Sequence, residues 1–120
     1  MGPGLVKRLL AFERRIPPES IREVKLRAMD LESEWAESGR RRVNLDPGYL
    51  TEAKVVLSSR KDRGHRVYVG EGVFVEPTLE FRQGAWHPFP WTYPDYRSPP
   101  VLEFFLRVRE GYRSRPTDAG

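Results

Sequence analysis

The stretch VVLSSRKDRGHRVYVGEGVFVEPTLEF, Val55 to Phe81, decides the fold. Apolar residues recur in it at a period of two and turn residues separate the runs, the pattern of antiparallel strands with one face buried. Reading outward, strands are expected near 41–45, 53–60, 65–70 and 73–81. The turns between them are Asp46-Pro47-Gly48, Asp62-Arg63-Gly64 and Gly70-Glu71-Gly72, each with a glycine for a positive φ. A three-residue loop at 70–72 sets Val69 against Val73 and Val67 against Val75, and pairs Arg66 with Glu76 and Tyr68 with Phe74 on the other side. A two-residue loop would place Val67 opposite Glu76 and mix charge with core. The same logic at 62–64 puts Leu57 opposite Val69 and Arg60 opposite Arg66, a like-charge pair that Glu76 or a bound anion would offset.

Both flanks read as helical. Leu5, Leu9, Phe12 and Ile16 line one side of an opening helix, which Pro17-Pro18 ends. A second helix starts with Pro18 and Glu19, carries Ile21, Val24, Ala28, Leu31 and Trp35 at three-four spacing, invites a break at Met29-Asp30 and stops at Gly39. After Phe81 the segment WHPFPWTYPDYRSPP is too rich in proline for a central strand and is expected as an ordered loop. Val101, Phe104, Phe105, Val108 and Tyr112 then predict a C-terminal helix on the sheet. The fold class is therefore α+β, a three- to four-stranded antiparallel meander packed by two N-terminal helical segments and one C-terminal helix. Residues 1–113 form one domain, with 114–120 as a frayed tail.

Composition narrows function mainly by exclusion. The chain has 120 residues, 38% hydrophobic, with no cysteine and two histidines, His65 and His87. Disulfides, cysteine zinc sites, iron–sulfur clusters and thiol catalysis are excluded, and no metal site is indicated. No apolar run approaches the ~20 residues of a membrane span and no signal-peptide pattern opens the chain, so the reading is cytoplasmic with no membrane partner. The net charge of +4 comes from the two ends of the chain, where most of the arginines read as solvated surface charge. There is no P-loop, and Gly70-x-Gly72 precedes a strand, so it is no dinucleotide fingerprint. Ser58 and Ser59 lie on a strand without a nucleophile elbow.

Polar and aromatic residues gather in three places. Asn44, Asp46 and Tyr49 lie in NLDPGYL, where Asn and Asp also serve as plain turn formers. Lys61, Asp62, His65, Arg66, Tyr68 and Glu76 lie on or beside the central hairpin, where an Arg–Glu pair on a solvated face is the plainer reading. Trp91, Tyr93 and Asp95 lie in WTYPDY, either a proline-stiffened lid or the aromatic wall of a pocket.

The run RRVNLDPGYLTEAKVVLSSRKDRGHRVYVGEGVFVEPTLEFRQG, Arg41 to Gly84, followed by WTYPDYR resembles the prokaryotic domain-of-unknown-function family 4416. KRLLAFERRI and DLESEWA are also similar to it, so the resemblance covers nearly the whole chain. It implies no particular reaction or ligand. Members carry a further βαβ-like segment ahead of the position of Met1, which makes this chain resemble an N-terminally shortened member. They also tend to have a small hydroxyl residue at the position of Arg60, which argues against a general Arg60–Arg66 anion clamp.

The leading expectation is a polar cleft for a small anionic ligand of the nucleotide or phosphate type. Lys61, His65 and Arg66 would contact the anion, Glu76 and Asp46 would orient them, and Trp91 and Tyr93 would wall the site. Whether the domain also catalyses a reaction, and with what cofactor, the sequence leaves open. An RNA-binding module using Arg40–Arg42 and the C-terminal arginines is less favoured, because residues 43–95 carry six cations against seven acids. The third reading is an interaction subunit. With no good strand after Phe81 to shield the far edge, the sheet is expected to self-associate or to be marginally stable.

Overall fold

The computed structural model describes residues 8–12, 15–36 and 45–114. Its elements are α1 (Ile21–Glu34), β1 (Gly48–Leu50), β2 (Lys54–Ser59), β3 (Val67–Gly70), β4 (Val73–Arg82), β5 (Ala85–Pro88) and α2 (Pro99–Ser114), with 3-10 turns at Pro18–Ser20 and Pro94–Tyr96. The α+β class and the antiparallel sheet are as the periodicities predict. The sheet has five strands in the order β1-β2-β4-β3, with β5 also on β4.

That order departs from a meander. The β3–β4 hairpin pairs Val67 with Val75 and Tyr68 with Phe74 as expected, but a bulge sets Gly70, not Val69, opposite Val73. Its loop runs through positive φ at Gly70, Glu71 and Gly72. Strand β2 does not pair with β3: Leu57 faces Glu76, so Arg60 and Arg66 are not cross-strand neighbours. Ten residues long, β4 supplies a ladder for β2 along one side and for β3 and β5 end to end along the other. Pro77 sits in this central strand beside a register shift, and the carbonyls there are taken by loop side chains. Trp91 Nε1 donates to Pro77 O at 2.7 Å and Thr92 Oγ1 to Thr78 O at 2.6 Å. A bulge is where a central strand tolerates proline, and here it also fastens the loop.

Strand β5 corrects the expectation that nothing after Phe81 shields the edge. Gln83 (φ 51°) and Gly84 (φ 78°) form a two-residue turn, and Phe81 pairs with Trp86. Only from Phe89 onward does the proline-rich stretch leave the sheet. The strand expected at 41–45 is also displaced: residues 41–44 lie outside the described residues, Leu45 to Pro47 are irregular, and β1 begins at Gly48. Gly48 is required for close approach, not for φ, since a Cβ there would lie 2.3 Å from Val56 O.

Helix α1 runs unbroken through Met29-Asp30 and ends at Trp35, ahead of Gly39, which lies outside the described residues. Its buried face is Ile21, Lys25, Ala28 and Glu32, while Trp35 of the expected stripe is 49% exposed. Among the described residues the opening helix is not observed: residues 8–12 and 15–17 carry no regular structure, Leu10, Phe12 and Ile16 are exposed, and Leu5 lies outside the described residues. Ser114 remains within α2.

Cross-strand partners share a face, so the register divides the sheet. Val55, Leu79 and Trp86 form a buried cluster with Leu50, Phe81, Leu102 and Phe105 against it, the last two from α2. Burying a side chain such as Leu79, fully excluded from solvent, is worth roughly 1.5–3 kcal/mol. Helix α1 contacts β2 and β4, and Arg60 of the β2 end reaches it through Met29 Sδ.

Candidate functional site

A buried ionic network occupies the hairpin face. Glu76, 4% exposed, presents Oε1 to Arg66 Nη2 at 3.2 Å and Oε2 to His65 Nε2. The Arg66 guanidinium is equally enclosed, its Nη1 donating to Ser59 Oγ at 2.9 Å and Lys61 O at 2.8 Å, and its Nη2 to Tyr93 OH at 3.3 Å. His65 stacks on Trp91 at 4.8 Å, and Phe89 stacks on the same indole at 4.8 Å. Arg97 fastens this loop by donating to the carbonyls of Thr92, Phe89 and Pro90. Each member is thereby held by at least one other, which fixes the loop 89–97 over the sheet.

Beside the network lies a cleft of about 660 Å³, within the usual range for small-molecule sites. It opens where β1 stops pairing: beyond Gly48↔Leu57 no strand among the described residues pairs with the end of β2 on that side. One wall is α1, with Lys25, Met29, Glu32 and Ser33, and the other is the segment Tyr93 to Tyr96. The floor is residues 57–61 with Arg63, Arg66 and Glu76, and Asp46 also lines the cleft. Pro47 O accepts both the backbone N–H and the Oγ of Ser58, at 3.1 and 2.6 Å, which ties the segment at Asp46 to β2.

The charges are unevenly placed. Arg60, Lys61 and Arg63 cluster where the chain leaves β2. No side-chain hydrogen bond or ion pair engages Lys61 or Arg63 among the described residues, and Arg60 donates to Gly72 O and contacts Met29. On the α1 wall Lys25, 7% exposed, donates to Leu45 O at 3.3 Å, and Glu32 accepts from Leu45 N at 2.6 Å.

Of the residues proposed from sequence, Asp46, Lys61, Arg66, Glu76, Tyr93 and Asp95 line this cleft. His65 and Trp91 stand behind Glu76 and support it. Tyr49, Asp62 and Tyr68 lie elsewhere: Tyr49 pairs with Val56, Asp62 is exposed in the β2–β3 connection, and Tyr68 packs on Phe74 and accepts a bond from Gly72 N. Asn44 and Arg40–Arg42 lie outside the described residues. The α1 wall escaped the sequence reading, although Lys25 and Glu32 at i and i+7 of a helix share a face with Ile21 and Ala28. Of the C-terminal arginines, those of α2 are engaged within the chain, Arg107 with Glu103, Arg109 with Glu52 O and the Phe81 ring, Arg113 with Glu52, and Arg115 lies outside the described residues.

Among the described residues no cluster of His, Asp and Glu is placed to hold a metal ion, and no helix is long and apolar enough to cross a membrane. The family model for a domain of unknown function, DUF4416, matches residues 1–112, and the chain belongs to that family. No curated protein and no solved structure matches it.

Proposed function

We propose that this DUF4416 domain binds a small anionic ligand of the phosphate or nucleotide class in the cleft between α1 and the Tyr93–Tyr96 segment. The observation that carries the reading is the state of the cations. Lys61 and Arg63 line the cleft with no partner for their side chains among the described residues, while the acid on the same floor, Glu76, is already engaged by Arg66 and His65. Arg66 is turned inward, so the anion falls to Lys61 and Arg63, with Arg60 beside them. Tyr93, 52% exposed, offers a ring to a flat ligand group.

The test is a thermal-shift series with inorganic phosphate and 5′-nucleotides on the wild type and on a Lys61→Ala, Arg63→Ala double variant. Ligand at about 100 times Kd adds roughly 2.7 kcal/mol to the native state, a rise of several degrees for a domain of this size. The variant, altered only at exposed positions, should melt like the wild type without ligand and respond about tenfold more weakly to it. If no anion raises the melting temperature of the wild type, the proposal is wrong.

A further inference from the structure

We propose that Asp46 and Lys25, which line the cleft around Leu45, read hydroxyl groups, so that the ligand is a phosphorylated sugar, with a ribose 5-phosphate unit as the simplest form, and not a bare anion. This rests on the anion site proposed above and names the class of ligand that site takes.

The argument comes from what the side chains beside Leu45 can accept. Asp46 lines the cleft with an exposed carboxylate that meets no donor among the described residues. Lys25 also lines the cleft, is 7% exposed, and uses one of three ammonium protons, on Leu45 O at 3.3 Å. The residue beside Leu45 is Asp46 itself. A ligand group here therefore meets an acceptor and a donor side by side, and the group that satisfies both is a hydroxyl, which donates and accepts. A second anion would face Asp46 and Glu32. An ammonium would face Lys25. Neither like-charge arrangement suits a partly dehydrated site.

Lys25 and Asp46 line the same cleft as Lys61 and Arg63, and Pro47, next to Asp46, is held on Ser58 of β2. The phosphate lies on Lys61 and Arg63, and the vicinal hydroxyls lie on Asp46 and Lys25.

The experiment is calorimetric titration with inorganic phosphate, ribose 5-phosphate, 2-deoxyribose 5-phosphate and phosphoethanolamine, on the wild type and on Asp46→Ala. Ribose 5-phosphate should bind at least tenfold more tightly than phosphate, and the deoxy sugar should fall between them. Asp46→Ala, at an exposed side chain, should remove the excess of ribose 5-phosphate over phosphate, while phosphate itself binds no more weakly because a negative charge has left the cleft; Lys25→Met is the second variant and should lose the same excess. Equal affinity for phosphate and ribose 5-phosphate overturns the hydroxyl reading, as does an excess that survives Asp46→Ala, or tighter binding of phosphoethanolamine. Absence of binding by any of the four removes the anion site as well, which separates the two failures.

Discussion

Glu76 is the residue on which the hairpin face depends, because it is the carboxylate that both His65 and Arg66 contact. Removing one member of a buried ion pair leaves the other charge dehydrated and unopposed, at a cost of roughly 3–5 kcal/mol. Arg66 would keep Ser59, the Lys61 carbonyl and Tyr93 as acceptors, so the lower end of that range applies. Glu76→Ala should therefore destabilise the domain by about 3 kcal/mol in urea unfolding. Glu76→Gln keeps a neutral acceptor for Arg66 and should lose about half as much. Lys61→Ala, on the exposed side of the same floor, should stay within about 0.5 kcal/mol of the wild type. Equal losses from Glu76→Ala and Lys61→Ala would mean that the network contributes nothing beyond surface charge.

At the level of elements, the β4–β5 hairpin depends on a turn with positive φ at both Gln83 and Gly84. Asparagine enters that region more readily than glutamine. Gln83→Asn should add roughly 0.5 kcal/mol, and Gly84→Val should lose about 1–2 kcal/mol through backbone strain, both read from denaturation midpoints. No change in either would show that β5 is held by Trp86 packing alone. This turn was readable in the sequence as Gln-Gly between apolar residues, but the prolines that follow masked it. The β3–β4 register was legible because Val67, Val75, Tyr68 and Phe74 leave only one alignment that separates apolar from polar. The β2–β4 pairing was not, since Val55 and Val56 are both buried and a strand covered on both faces has no alternation to fix its partner. For α1 the rule that charges face outward misled: it selected Leu31 and Trp35, whereas the helix turns Lys25 and Glu32 inward, where each makes one hydrogen bond with the backbone of Leu45. That rotation concealed half of the cleft.

Across the whole molecule, core and cleft meet at one residue. Tyr96 is 6% exposed, lines the cleft, and stacks on Phe105 of α2 at 6.3 Å. Phe105 in turn packs against the Val55–Leu79–Trp86 cluster, as Leu102 does one turn earlier. Both α2 residues are half-buried, so truncating either should destabilise the domain by about 2 kcal/mol, at the low end of large-to-small losses. Their effects on binding should differ. Phe105→Ala removes the ring that supports Tyr96, and the cleft wall loses the packing that fixes its rotamer, so affinity for ribose 5-phosphate should fall severalfold when titrated well below the melting temperature. Leu102→Ala perturbs the same cluster, but Tyr96 retains its stacking partner, and affinity should remain within about twofold of the wild type. A parallel loss of affinity in the two variants would mean that binding follows global stability, and that α2 does not position the Tyr96 wall through Phe105.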